Sequence, residues 1–413
     1  MGILKDKIEY HIYVNNFTNE LQCGATKGRR PAENLFILRY CIDFSFINKK
    51  PLYILSIDYA KAFDSIKRLE MMKILQEYRV DPMIVNLIKQ IYTNDSTTLY
   101  LNAQKVIDIE ITSGIRQGCN MSALLFILVT YKIIEDIDKF NKGYNDEEFK
   151  ISSLFYMDDG IIFTHEKDQM ERIINHIQQT SQKYGLELNK SKCKIMLFNC
   201  KNEDVIFDIE VVNQIKYLGV LIDNKRNCFQ SQKEKSLQSS IKFSNQLYSI
   251  LGNCCNSMLI GKTFWKSLAL PCFLYGSDII SYNIKDLDMQ QKIENKAFRT
   301  ILRLPKFTAI EFLRGEIGAS SSRARSIKNK LLFLKHSLSS GNELLRNIVD
   351  KELEIKKTSW SKEILTNLNE ININLTQLIN LSINCIKGKI NEWDNNRWKA
   401  GMEYLVSYVG SQI

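Results

Sequence analysis

An α/β fold is predicted by three observations. Short apolar runs rich in strand formers end in carboxylates, longer segments repeat their apolar residues at helical spacing, and the last part of the chain reads as helical. Leu52–Ile57 is the first apolar run and delivers Asp58 at its end. A helical period follows through Leu69, Met72, Leu75 and Tyr78, and residues 123–134 form a strongly apolar helix. Residues 153–157 are a second apolar run that meets Asp158-Asp159-Gly160 and leaves through 161–164, the form of a tight hairpin with two acids at its tip. Residues 232–251 return to helical spacing, and past Lys351 the chain is rich in Asn, Ile and Leu, with Trp360, Trp393 and Trp398.

The composition excludes several classes. At 413 residues the chain has the length of roughly two to three domains of about 150 residues each. Its 45% hydrophobic, 25% charged and 10% aromatic content, with 5 Pro, is that of a globular protein rather than a disordered or collagenous one. No apolar run reaches the roughly 18 to 20 residues of a membrane span, and charges interrupt the first 13 residues where a secretory signal needs an apolar block. An intracellular protein without a membrane partner is expected. The 10 Cys stand singly apart from Cys254 and Cys255, with no CxxC pair and no His at zinc-ligand spacing, which predicts reduced thiols.

The formal charge of +10 is unevenly spread: residues 1–250 carry +2 and residues 251–413 carry +8. Within 299–335, nine Lys and Arg face two Glu, a pattern that suits phosphate contacts or a solvated helix face.

The acids carry the chemistry. An Asp that ends a strand is often a helix cap, and Asp-Gly is good turn chemistry by itself. Adjacent carboxylates between hydrophobic strands repel each other, however, and a divalent cation is the natural counterion. If Asp58 lies beside Asp158, the donor set suits Mg²⁺ and two-metal phosphoryl transfer, with nuclease and polymerase both open at this stage. Between the acids, Gly114 and Gly118 bracket Arg116 and Gln117, where backbone can approach a ligand closely.

The order of segments then becomes recognisable. Asp58-x-x-x-Ala-Phe63-Asp64, Gly114-Ile-Arg-Gln-Gly118-Cys119, Phe155-Tyr-Met-Asp-Asp159, Gly185-Leu-Glu-Leu-Asn189-Lys-Ser-Lys192 and Lys216-Tyr-Leu-Gly219 succeed one another at intervals of about 55, 40, 30 and 30 residues. Together they resemble the palm of a reverse transcriptase of the non-LTR (LINE-type) retrotransposons. Gln22-Cys-Gly24 to Arg30 is similar to the end of that family's fingers. Trp265, the segment from Leu270 to Gly276 and the segment from Ile293 to Pro305 are similar to the region downstream of its polymerase.

The resemblance implies a right-hand polymerase: partial fingers at 1–50, a palm with an antiparallel sheet at 51–223, a helical thumb at 224–260 and a helical C-terminal region at 261–413. It implies that Asp58, Asp158 and Asp159 hold two Mg²⁺ ions, with Mn²⁺ as a substitute, Asp58 and Asp158 being the direct ligands. Nucleotide binding falls to Tyr59, Phe63, Arg116, Gln117 and Gly118, with Phe63 as the gate that excludes a 2′-hydroxyl. Lys192 becomes the acid at the departing pyrophosphate, against the competing reading of a surface lysine. Tyr217, Leu218 and Gly219 become the primer grip. Lys27, Arg29 and Arg30, with Arg299, Arg303, Arg323, Arg325 and Lys328, become contacts to nucleic acid.

The implied activity is RNA-directed DNA polymerisation, with an RNA template, a DNA primer and dNTPs as partners, in the cytoplasm, the nucleus or both. The alternatives are a catalytically silent nucleic-acid-binding remnant and an intron-maturase-like RNA-binding protein. Asn120 and Ala123 stand where relatives often have prolines, and Ala25 where an aromatic is usual. The family's upstream basic fingers stretch and an endonuclease are not recognised, so an element reading frame trimmed at its 5′ end is expected.

Overall fold

The structure is a computed structural model that describes residues 1–93, 95–200, 205–252 and 256–410, the last six without their side chains. The adjacent Cys254 and Cys255 lie outside the described residues. The chain divides into two compact units, one of residues 1–219 and 224–226, the other of residues 220–223 and 227 onward.

The first unit is built on a four-stranded sheet in the order Lys194–Phe198, Leu52–Ile57, Asp159–Thr164, Ser153–Tyr156, antiparallel throughout. Leu52–Ile57 is an inner strand, and both of its faces are covered. Leu55 sits between Ile162 and Ile195 in the register. These three share a buried cluster with residues of the helices Ser122–Phe140 and Lys167–Lys183, among them Ile127, Ile173 and Ile177. Ile54, between Phe163 and Met196, faces the other way. On that face Phe46, from the helix Pro31–Asn48, meets Phe198 edge to face at 6.0 Å. A strand buried on both faces has no polar alternation to show, which is why LYILSI reads as one apolar run.

Pro31–Asn48 starts with Pro31 in its first turn and with the Glu33 carboxylate accepting the Arg30 backbone N–H at 3.2 Å. It ends at Lys49, which takes a left-handed φ of 53°. The apolar helix expected over 123–134 runs further, as Ser122–Phe140.

One turn differs from expectation. Of the two acids expected at the hairpin tip, Asp158 lies in the turn with Met157, whereas Asp159 pairs with Tyr156 and Gly160 lies inside the strand. Gly160 pairs with both Ile57 and Phe155, and a Cβ there would stand 2.6 Å from Ile57 Cγ1 and 2.7 Å from the Phe155 ring. The glycine serves close packing, not turn formation.

The second unit is helical. Gln230–Leu251, Ile284–Leu302 and the short helix Ile310–Ile317 share a core of Leu247, Leu251, Trp265, Phe298, Ile301 and Leu313. Ser322–Leu338 carries Lys330, fully buried, whose ammonium donates to the Ser277 carbonyl at 3.0 Å and pairs with Glu363 of Ser359–Glu370 at 3.2 Å. No helix of the described residues is long and apolar enough to cross a membrane.

Gly160→Ala is expected to lower stability by about 1–3 kcal/mol, the usual cost of overpacking a filled site, read as a fall in thermal midpoint.

Candidate active site

Because Ile57 pairs with Gly160 across adjacent antiparallel strands, the next residue, Asp58, comes level with Asp159, while Asp158 occupies the turn beside it. The three carboxylates gathered at this end of the sheet feel one another. Burial, then the charges of Asp158 and Asp58, push the Asp159 carboxyl above its ordinary range, and Lys216 opposes the shift. Lys192 arrives from the loop after Glu187–Leu188, its ammonium 3.7 Å from Asp58 Oδ1. Backbone bonds tether that loop: the Asn189 N–H donates to the Asp58 carbonyl at 2.8 Å, and the N–H groups of Lys192 and Cys193 donate to the Asn189 carbonyl.

Among the described residues, no group of three Asp, Glu, His or Cys side chains is drawn together closely enough to hold a metal ion as it stands. The donors nevertheless suit a hard divalent cation in kind. They are carboxylate oxygens on neighbouring backbone positions, and the negative charges of Asp158 and Asp58, which with burial raise Asp159, are the excess such an ion relieves.

The Gly114–Gly118 segment lies directly on the chain that leaves Asp58. Gly114 N–H donates to the Ile66 carbonyl at 2.8 Å and Ile115 N–H to the Phe63 carbonyl at 2.9 Å. Gln117 Nε2 donates to Asp64 Oδ1 at 3.0 Å. A Cβ on Gly114, whose φ is +79°, would lie 2.6 Å from the Asp64 carbonyl oxygen, so only glycine allows this approach. Gly118 is also left-handed, at +80°. Phe63 is half-buried, its ring stacked on Phe126 at 4.5 Å and 12°. Tyr59 turns into the core instead: it is 5% exposed and its hydroxyl is 3.0 Å from Ser181 Oγ. Tyr217 is buried as well, and the turn after it takes φ of +45° at the half-buried Leu218 and +83° at Gly219.

Two residues with no sequence signal complete the site. Asp95 is 5% exposed and accepts from Arg116 Nη2 at 2.6 Å and from Arg68 Nη2 at 2.7 Å. Arg68 also donates to the carbonyls of Tyr92, Ile111 and Gly114, so one buried carboxylate and one guanidinium brace the whole loop. Arg116, expected at a phosphate, is thereby held by Asp95. Lys216 was visible only as part of a motif, and its effect on Asp159 appears in the folded chain alone.

The remaining basic residues fall into two groups. Lys27 and Arg30 are exposed, whereas Arg29 pairs with Glu33 at 3.3 Å. In the second unit, four of the nine cations of 299–335 meet acids internally: Arg314 with Asp394, Arg323 with Glu370, Arg325 with Glu294, and Lys330 with Glu363. Arg299 and Arg303 donate to the carbonyls of Thr308 and Leu251. Lys328 is half-buried, its ammonium pushed down by burial and by the charges of Arg325 and Lys387. Much of the positive charge in this stretch therefore serves helix packing.

The family described as reverse transcriptase (RNA-dependent DNA polymerase) matches residues 2–222. Among curated proteins, the chain is similar to the Retrovirus-related Pol polyprotein from type-1 retrotransposable element R2 of Nasonia vitripennis, 26% identical over 209 residues, 47% of this chain and 20% of that protein. It is also similar to the Transposon TX1 uncharacterized 149 kDa protein of Xenopus laevis, 25% identical over 208 residues, 49% of this chain and 16% of that protein. These matches span about a fifth of the relatives' length. Among solved structures, apo telomerase from Candida tropicalis aligns with a TM-score of 0.44 and 13% identity, covering 84% of this chain and 60% of that one.

Asp95→Asn is expected to cost about 3 kcal/mol, because it leaves two guanidiniums facing a neutral amide. Hydrogen bonds from Arg116 and Arg68 hold the Asp95 carboxyl below the usual carboxylate range. Its stabilisation is thus present at neutral pH and lost as pH falls through the folded-state value. The parent's acid melting curve should be steeper than the variant's, as measured by thermal midpoint from pH 7 to pH 2.

Proposed function

Because the chain belongs to the reverse transcriptase (RNA-dependent DNA polymerase) family, with more than half of its residues matched, we propose that it adds dNTPs to a primer 3′-hydroxyl on an RNA template, as the polymerase part of a non-LTR retrotransposon protein. The observation that carries this reading is the level register of Asp58 with Asp159 beside Asp158, which gathers three carboxylates at one sheet end.

In this reading Asp58, Asp158 and Asp159 hold two Mg²⁺ ions, or Mn²⁺ in their stead. When bound there, the ions would supply charge neutralisation to the triphosphate and Lewis-acid activation of the primer hydroxyl. The chain's own groups do the rest. Lys192, 66% exposed beside Asp58, meets the negative charge of the departing pyrophosphate and supplies its proton. The Phe63 ring, held by Phe126, lies under the incoming sugar and leaves no room for a 2′-hydroxyl. Gln117 and Gly118 offer the nucleotide a surface kept in position by Asp64 and by the Arg68–Asp95–Arg116 brace. The backbone turn at Leu218 and Gly219 sets the primer end. Lys27 and Arg30 in the first unit, with Lys328 in the second, track phosphates, at sites in the cytoplasm or nucleus where the element's RNA and target DNA are met.

Primer extension on a defined RNA template with Mg²⁺ tests the proposal. The parent should incorporate dNTPs, Asp158→Ala should lose at least about a hundredfold in rate, and Lys192→Ala should lose about 10- to 100-fold. Phe63→Ala should admit rNTPs that the parent rejects. If neither parent nor Asp158→Ala extends while both shift labelled RNA at low salt, the chain is a binding remnant and the polymerase reading is wrong.

A further inference from the structure

The turn that carries Asp158 and Asp159 is held from outside its own hairpin. Met157 takes a φ of +59°, a left-handed conformation that a bulky residue rarely adopts unless its surroundings impose it. What imposes it is Gln22. This side chain is fully buried and uses every hydrogen bond an amide can make. Its Oε1 accepts the N–H of Gly24 at 2.8 Å and the N–H of Met157 at 2.9 Å. Its Nε2 donates to the Met157 carbonyl at 3.1 Å and to Thr130 Oγ1, on the helix Ser122–Phe140, at 3.0 Å. Both peptide groups of Met157 are therefore gripped by one amide.

The backbone around Gln22 reinforces the grip. The Phe155 N–H donates to the Leu21 carbonyl at 2.7 Å and the Cys23 N–H to the Phe155 carbonyl at 2.9 Å, a parallel bridge laid along the outer strand. Gly24 closes the contact: a Cβ there would stand 2.3 Å from Met157 N and 2.7 Å from Met157 Cγ.

We infer that Gln22 is a positioning residue for the acid pair, clamping the Met157 peptide so that Asp158 and Asp159 keep the orientation the reaction needs. It touches no reacting atom. The inference rests on the polymerase reading for its kinetic consequence, but not for the clamp itself. An apolar side chain of the same volume would leave the Gly24 N–H and the Met157 N–H and carbonyl without these bonds, so the amide is what holds the turn in this conformation.

The full chain is compared with Gln22→Ala, Gln22→Glu and Gly24→Ala. Hydrogen exchange of the peptide covering 153–160 is followed against that covering 52–57, and primer-extension kcat and KM are measured beside it. In Gln22→Ala, exchange at 153–160 should rise about tenfold or more with 52–57 unchanged. The kcat should fall about tenfold or more while KM for dNTP and the affinity for RNA stay within about twofold. Gln22→Glu keeps the acceptor for the Met157 N–H and loses the donors, so its exchange and kcat should lie between parent and Ala variant. Gly24→Ala pushes the same turn from the other side and should reproduce the kcat loss if Gln22→Ala fails to fold. Unchanged exchange at 153–160, or a kcat loss that only tracks the unfolded fraction, overturns the clamp. A parent that incorporates no dNTP overturns the polymerase reading instead, and the exchange measurement then decides the clamp alone.

Discussion

The pairing of Ile57 with Gly160 decides which carboxylates meet, and the packing on both faces of Leu52–Ile57 keeps that pairing. A shift of one residue would turn the side chains of Leu52–Ile57 to the opposite faces and move Asp58 out of level with Asp159. The register resists such a slip because both faces are committed: Leu55 packs with Ile162 and Ile195, and Ile54 lies between Phe163 and Met196. Gly160 is the point where this packing is tightest, since nothing larger fits between Ile57 and Phe155. Hydrophobic packing thus holds three acids at one sheet end, where burial and then the charges of Asp158 and Asp58 push the Asp159 carboxyl up.

Around that fixed end, charge is balanced locally. Lys192, from a loop, and Lys216, from the strand Gln214–Tyr217, face the acids. Arg68 and Arg116 share the buried Asp95, and so the loop between the two glycines is anchored by a nearly buried carboxylate. Such a pair adds little over a well-packed apolar alternative, but removing one partner strands the others. Its value here is geometric. It fixes where Gly114 and Gln117 lie against Phe63 and Asp64. The helical unit uses charge similarly: Lys330 with Glu363, and Arg325 with Glu294, join helices distant in sequence through buried pairs.

Much of this architecture is legible in the residues alone. The strand Leu52–Ile57 follows from its apolar run and the helix Gln230–Leu251 from apolar periodicity, the stretch after 351 reads as helical, and the ordered motifs identify the family. Only one of the two acids expected at the hairpin tip lies in the turn, and Gly160 sits in the strand, because glycine serves two ends, left-handed turns and close packing, and the letters do not say which. Tyr59 comes directly after Asp58, yet its ring is buried, because alternation along extended backbone sends neighbours to opposite sides. The basic stretch 299–335 looks like a surface for polyanions when its letters are read without Glu294, Glu363, Glu370 and Asp394 beside them.

Local elements, the order of the motifs and therefore the family are written along the chain, because period, turn chemistry and spacing are short-range properties. Which charges and amides meet is settled only on folding: Lys192 with Asp58, Asp95 with two arginines, Gln22 with Met157, and the basic helix with its acids. Those partners lie from about twenty to more than a hundred residues apart. Such pairings are selected by packing and by the need to satisfy every buried polar group, a condition on the folded whole that no window of sequence contains.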